Sequence, residues 1–315
     1  MMTSRSTFAD RLDAYVKLRR GLGLKFTKQE SDLHAFDRYV DERAYGGLLT
    51  QELALDFATA KPDASHGACA RRYQIVRHFS DYLATFEPLT PRLDPKALRR
   101  PPTRPAAHIF TEDELTALLH EARHVSTRNP VRGITLHAMV GLAASTGMRV
   151  GEVVRLDKAD VDLDVGVLTV RRTKFAKDRL VPVHATTRDV LRNYAAVRDA
   201  TFVDCGCLAF FVNLCLRRYS EHTLSLAFWD LACRVGLRGD KGKGASFHSL
   251  RHSFAVRRLV AWYRAGIDVQ AMLPALATYM GHVHYRDTAW YLTATPELLG
   301  LASGRYENVR KEGRS

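Results

Sequence analysis

The sequence lacks several features that would narrow its class. No apolar run approaches the roughly 18 residues that a membrane-crossing helix needs, and no terminal segment reads as an amphipathic Lys-rich helix. The opening, MMTSRSTFADRLDAY, holds no apolar stretch of the kind a secretory leader carries. The expectation is a cytoplasmic protein of bacterial type, associated with the nucleoid and not with a membrane. Cysteine is scarce and odd in number: there are five, with no C-x-x-C pair and no nearby H-x-x-x-H. This argues against a disulfide framework and against a zinc site at Cys205, Cys207 and Cys215, so reduced thiols and no metal are expected. Internal repeats and low-complexity segments are missing too. Acidic residues are in deficit, 34 Asp and Glu against 47 Lys and Arg, which leaves a formal charge of +13. An excess of that size suits a polyanion, because neutralising phosphates releases condensed counterions.

The 315 residues, 46% of them hydrophobic, suffice for two domains. Residues 1–90 read as helices, with Thr27 and Glu30 spaced as a capping box before SDLHAFDRYV and helical spacing through RRYQIVRHFSDYLATF. Arg71 and Arg72 belong to a basic ensemble here that reads as one half of a DNA-gripping surface. Residues 91–107 begin with PRLDPKALRRPPTRP, whose five prolines favour an extended linker. Its basic residues, Arg99 and Arg100 among them, suit a phosphate backbone. Residues 108–315 form the second domain. Thr111 and Glu114 make another capping box, an apolar helix over 131–146 ends at Gly147, and GVLTV and RLVPV switch to a period of two, as strands around the turn KFAKD. LAFFV reads as one further short strand. The fold class expected is mainly α with a small β-hairpin or sheet.

Four islands carry chemistry. In TGMRVGEV, Arg149 stands at the mouth of a helix, with Glu152 three residues on to brace its guanidinium. In RTKFAKDRLVPV, Lys174 stands at a strand end, with Lys177 and Arg179 as phosphate grips beside it. In FHSLRHSF, His248 and Arg251 project from neighbouring helical positions, and His252 reads as a supporting residue. In YMGHVHYRDTAWYLTAT, Gly281 ends a helix, His282 follows, and Tyr291 lies nine residues beyond.

Together these residues suit attack on a phosphodiester without a metal. Arg149 and Arg251 can fork onto the non-bridging oxygens and stabilise a pentacoordinate transition state. Tyr291 supplies a nucleophile whose adduct retains the phosphoester bond energy, so the strand can be rejoined without ATP. A phenol with an ordinary pKa near 10 needs a base, and His248 suits that role. Lys174 is the best acid for the leaving 5′ oxygen, and His282 would hydrogen-bond the phosphate. Tyr285, three residues past His282, is the alternative nucleophile.

The order and spacing of the islands resemble the tyrosine recombinase, or phage integrase, family. TGMRVGEV matches its first arginine box and HSLRH its His-x-x-Arg box. MGH with Tyr291 matches its final histidine and nucleophile, and TKFAKDRLVPV is similar to the hairpin carrying its lysine. The hairpin departs from the family in having Thr173 and Phe175 where glycines are common, which leaves its shape open. The resemblance implies a helical core-binding domain and a catalytic domain closing as a C-shaped clamp on double-stranded DNA. It implies a 3′-phosphotyrosyl intermediate, no cofactor, no small-molecule substrate, and a homotetramer on DNA that can include related recombinases. Within the family the chain resembles an Xer-like or transposon-type site-specific recombinase or integrase. Two alternatives stand beside it: a type IB topoisomerase-like nicking-closing enzyme, which resembles the family in its catalytic residues, and a catalytically silent DNA-binding protein of the same fold, which would need a site residue to be missing where none is.

Overall fold

In the computed structural model of the chain, the described residues are 6–24, 26–98, 107–125, 129–171, 178–203, 206–239, 244–282, 285–293, 297–300 and 302–303, without the side chains of residues 285, 286 and 293. The chain divides into two compact units, residues 1–105 and 106–315.

The first unit is built from α1 (Ala9–Gly21), α2 (Thr27–Asp41), α3 (Gln51–Thr59) and α4 (His66–Leu83). Local chemistry sets two of its helix starts: the Thr50 hydroxyl accepts from Leu53 N–H, and the Ser65 hydroxyl accepts from Ala68 N–H. Its core is rich in rings, with Tyr15, Phe36, Phe57, Tyr73 and Phe79 among the buried residues. Such rings contribute large buried apolar area and edge-to-face contacts, as between Phe36 and Phe57. The capping box expected at Thr27 is not where α2 begins. Thr27 is already helical, and the preceding residue is the buried Phe26 in the left-handed region (φ 37°). Glu30 pairs instead with Arg20. Burial of the Phe26 ring against Tyr15 fixes this corner, so a tertiary contact overrides the local signal.

Two expectations for this unit need correction. Residues 91–98, read as part of an extended linker, are tied to the helices: Leu93 is buried, Tyr73 Oη donates to Asp94 O at 2.7 Å, and Ser80 Oγ donates to Pro91 O at 2.9 Å. Arg72, read as part of a DNA-gripping surface, is only 7% exposed. Its guanidinium lies 4.0 Å from the centroid of Phe57 and donates to Ala58 O at the end of α3, so it is spent on packing. Arg71 stands at the surface, with Asp32 3.4 Å from its Nε. Arg99 and Arg100 lie outside the described residues.

The second unit starts at α5 (Glu112–His124), where Thr111 and Glu114 form the expected reciprocal capping box. Central to it is α6 (Pro130–Thr146), so apolar that Leu136, Ala138, Met139, Val140, Leu142 and Ala143 are all buried. Packed around it are α5, α8 (Ala185–Thr201) and α10 (Phe247–Arg264). Short α7 (Val150–Arg155) leads into strands β1 (Val161–Asp162), β2 (Val167–Val170) and β3 (Arg179–Pro182). They form an antiparallel sheet in that order, with Val170 opposite Arg179. The turn carrying Lys174 and Lys177 lies outside the described residues. LAFFV is no strand of this sheet: Ala209 and Val212 make isolated bridges to Asp157 and Arg218. Residues 209–212 are buried, and Phe210 N–H donates to Leu156 O while Val212 N–H donates to the Tyr194 hydroxyl, so the segment makes single bridges and no ladder among the described residues. Helices α9 (Glu221–Arg234), α11 (Val269–Met280) and α12 (Tyr285–Ala289) complete the unit, followed by a 3₁₀ turn over Trp290–Thr293. A second core cluster joins α10 and α11 to Tyr291 and Leu298. No helix among the described residues is long and apolar enough to cross a membrane.

Because Arg72 serves packing, Arg72→Met should lower the stability of the first unit by about 2 kcal/mol, the worth of one charged hydrogen bond and a cation–π contact. It should leave the salt dependence of the DNA binding expected from the sequence unchanged, whereas loss of a phosphate contact would reduce that slope by about one. Urea melts and filter-binding titrations over a salt series check both halves.

Candidate active site

Two helices of the second unit end on left-handed glycines, α6 at Gly147 (φ 66°) and α11 at Gly281 (φ 65°). Both positions demand glycine for a second reason. A Cβ at Gly147 would lie 2.6 Å from the Phe254 ring, and one at Gly281 would lie 2.9 Å from Arg179 Nη1. The tight endings turn unpaired carbonyls of both helices toward one place, and two arginines fill it. Arg251, projecting from the buried face of α10, is 1% exposed. Its Nη1 donates to Gly147 O at 2.7 Å and its Nη2 to Met280 O at 2.6 Å. Arg149, the residue preceding α7, donates through Nη2 to Gly281 O at 2.9 Å.

Glu152, 3% exposed, completes the frame. It accepts from Arg149 Nη1 at 2.8 Å and from the Arg149 backbone N–H at 2.9 Å. Arg179 grips both of its oxygens, with Nη1 at 3.0 Å and Nη2 at 2.8 Å, while Arg179 Nε donates to Tyr279 O at 2.8 Å. Burial pushes the Glu152 carboxyl up, but the hydrogen bonds and charge of Arg179, followed by those of Arg149, outweigh it and hold the group at about 2. Burial lowers Arg251 to about 10, and the neighbouring charge of Arg149 adds to the effect. Three guanidiniums against one carboxylate leave two positive charges in surplus, a ready site for a dianionic transition state.

His282 directly follows Gly281 and sets its Nδ1 2.6 Å from the hydroxyl of buried Thr288. Burial, then the charges of Arg251 and Arg149, push the imidazole down to about 4, so it is neutral near pH 7. Tyr291, 3% exposed, stacks on His282 at 6.1 Å between ring centroids and meets His252 edge-on at 5.4 Å. Burial raises its phenol, and the charge and hydrogen bond of Arg251 pull the other way. His252 also meets the exposed His248, at 4.6 Å between centroids. Arg149, Glu152, His248, Arg251, His252, His282 and Tyr291, drawn from three separate segments between residues 149 and 291, thus share one cluster.

Arg179 does not fit its expected role as a phosphate grip. Its side chain is 11% exposed and committed to Glu152, because the strand that carries it points inward beneath α11. Lys174 and Lys177 lie outside the described residues, as does the side chain of Tyr285. Thr288 was not legible as part of the site, since a threonine six residues past a histidine carries no signal of its own. No group of three or more metal-ligating side chains occurs among the described residues.

Residues 108–297 match the profile of the phage integrase family. The chain is 43% identical over 305 residues to y4rE of Sinorhizobium fredii, classed as an integrase/recombinase, covering 96% of this chain and 97% of that one. It is 32% identical over 275 residues to tyrosine recombinase XerD of Ralstonia nicotianae, covering 85% and 83%. Among solved structures, XerH bound to a palindromic difH substrate superposes with a TM-score of 0.68 at 18% identity, over 94% of this chain and 84% of that one. A lambda integrase tetramer bound to a Holliday junction gives 0.61 at 18% identity, over 87% and 77%.

The depressed histidine sets a pH window. Between about 4 and 6.5 the unfolded chain holds a proton on His282 that the folded chain does not, so stability falls as pH drops through that range. Glu152 adds a lower window, its contribution present above 4.5 and lost as pH falls through about 2. In urea melts across pH 3.5–7, His282→Gln should flatten the upper limb. A slope equal to wild type would show that His282 is not held neutral by the fold.

Proposed function

The chain belongs to the phage integrase family, whose members break and rejoin DNA in site-specific recombination, and on that premise we propose that it does so through a 3′-phosphotyrosyl intermediate formed on Tyr291. The single observation that carries the proposal is the meeting of Arg149 and Arg251 on the carbonyls of Met280 and Gly281, next to Tyr291. Arg149 and Arg251 hold the non-bridging oxygens of the scissile phosphate, and their surplus charge stabilises the pentacoordinate transition state. Tyr291 Oη attacks phosphorus, the bond to the 5′ oxygen breaks, and Lys174 returns a proton to that oxygen. His248 takes the phenol proton, with His252 packed between the two rings. Neutral His282, its Nδ1 engaged by Thr288, presents Nε2 to a phosphate oxygen. Rejoining runs the same steps backward with a different 5′ hydroxyl.

Charge supplied by guanidiniums takes the place of a metal, so the reading needs no cofactor. Double-stranded DNA is the partner, met also by Arg71, Arg99, Arg100 and Lys177. Four protomers acting in pairs through a four-way junction account for reciprocal exchange, an assembly of the kind solved for lambda integrase. The relatives named as integrases and Xer recombinases favour recombination over nicking and closing alone.

The test is a pool of randomised duplexes nicked near their centres, incubated in chelator and then denatured. Wild type should yield covalent protein–DNA adducts. Tyr291→Phe should bind the pool as wild type does and yield none. Arg149→Ala and Arg251→Ala should each slow adduct formation on the order of 10²–10³-fold, the cost of losing an oxyanion donor. Adducts from Tyr291→Phe would move the nucleophile to another residue, with Tyr285 next in line. Loss of adducts in chelator, restored by a divalent cation, would overturn the metal-free chemistry.

A further inference from the structure

We infer that Arg179 is a positioning residue that keeps Arg149 available to the phosphate by taking up the charge of Glu152, an inference that rests on the recombinase reading above. Glu152 is buried and ionised, and its two oxygens are shared by two arginines on unequal terms. Arg179 holds it with both Nη1 and Nη2, whereas the Arg149 guanidinium offers Nη1 alone, beside the Arg149 backbone N–H, and keeps Nη2 on the Gly281 carbonyl. A buried carboxylate must have full compensation. With Arg179 gone, the one guanidinium already within 2.8 Å is that of Arg149. Arg149 would then close on Glu152 as a two-pronged pair, leave the Gly281 carbonyl, and lose its free face. The surplus at the site would drop from two positive charges to one.

Arg179 also joins parts of the site that are remote in sequence. It opens β3, five residues after Lys174, and its Nε is bound to Tyr279 O near the end of α11. Gly281 makes room for it, since a Cβ there would lie 2.9 Å from Arg179 Nη1. The base of the lysine hairpin, the frame of Arg149 and the approach to His282 are thereby fixed by one side chain.

The experiment is a double-mutant cycle on the full chain with Arg179→Met, Glu152→Gln and both together, plus Arg179→Lys. Two quantities are read. One is the rate of adduct formation on nicked duplexes selected by wild type, and the other is affinity for inorganic phosphate by titration calorimetry. Arg179→Met should slow adduct formation about a hundredfold and weaken phosphate binding about tenfold, as expected when a charged donor is withdrawn from the anion. Arg179→Lys keeps the charge and should recover most of both losses. In the Glu152→Gln background no charge awaits neutralising, so removing Arg179 should cost less than a tenth of what it costs in wild type. Equal costs in the two backgrounds would overturn the proposal and leave Arg179 a structural strut. If Arg179→Met does not fold, Glu152→Gln against the double variant, with Arg179→Lys against wild type, decides the same point. If wild type forms no adduct on any duplex, the recombinase reading fails, and the order of phosphate affinities still decides the role of Arg179.

Discussion

Burying the Arg251 guanidinium is the constraint around which the second unit is arranged. A permanently charged group cannot be taken from water unless its donors meet oxygens in good geometry. Here those oxygens are main-chain carbonyls at the ends of α6 and α11, where the aligned peptide dipoles concentrate partial negative charge. Two helices must therefore stop within a residue of the right place and point their ends at each other. Left-handed glycines provide the stop, and the rings and aliphatic side chains of the two core clusters provide the aim.

The acid within the site is as consequential as the bases around it. Glu152 fastens the Arg149 backbone and side chain at once, and Arg179 fastens Glu152 to the sheet. That carboxylate offsets one of three positive charges and gives two of the guanidiniums a shared acceptor, so the surplus left over suits an anion. The balance struck leaves net positive charge at the site. Helical packing provides the rigidity and a small sheet provides the anchor for the acid.

Much of this was legible in the sequence where the determinants are local. The Thr111–Glu114 capping box, the glycine endings of α6 and α11, and the period-two strands around the hairpin depend on neighbours within a few residues. The grouping of Arg149, His248, Arg251, His282 and Tyr291 was legible because the residue types are chemically restrictive and recur in a known order. What escaped was the environment of individual residues. Arg72 and Arg179 look in sequence like any surface arginine, and their oxygens come from Ala58, Tyr279 and Glu152, which spacing cannot connect to them. Thr27 carried a valid local signal that burial of Phe26 overrode. Thr288 became meaningful once the turn after Gly281 brought its hydroxyl onto His282.

The use of carbonyls to cradle Arg251 also shapes how the protein can change over generations. A carbonyl belongs to every residue, so no substitution at Met280 deletes the oxygen that Arg251 requires. The mutational target for destroying this half of the cradle shrinks to the arginine and the two glycines. Side chains elsewhere on α6 and α11 are left free to drift so long as they fill the same volume. A lineage can thus revise the outer surfaces of these helices while the arginine cradle is inherited intact.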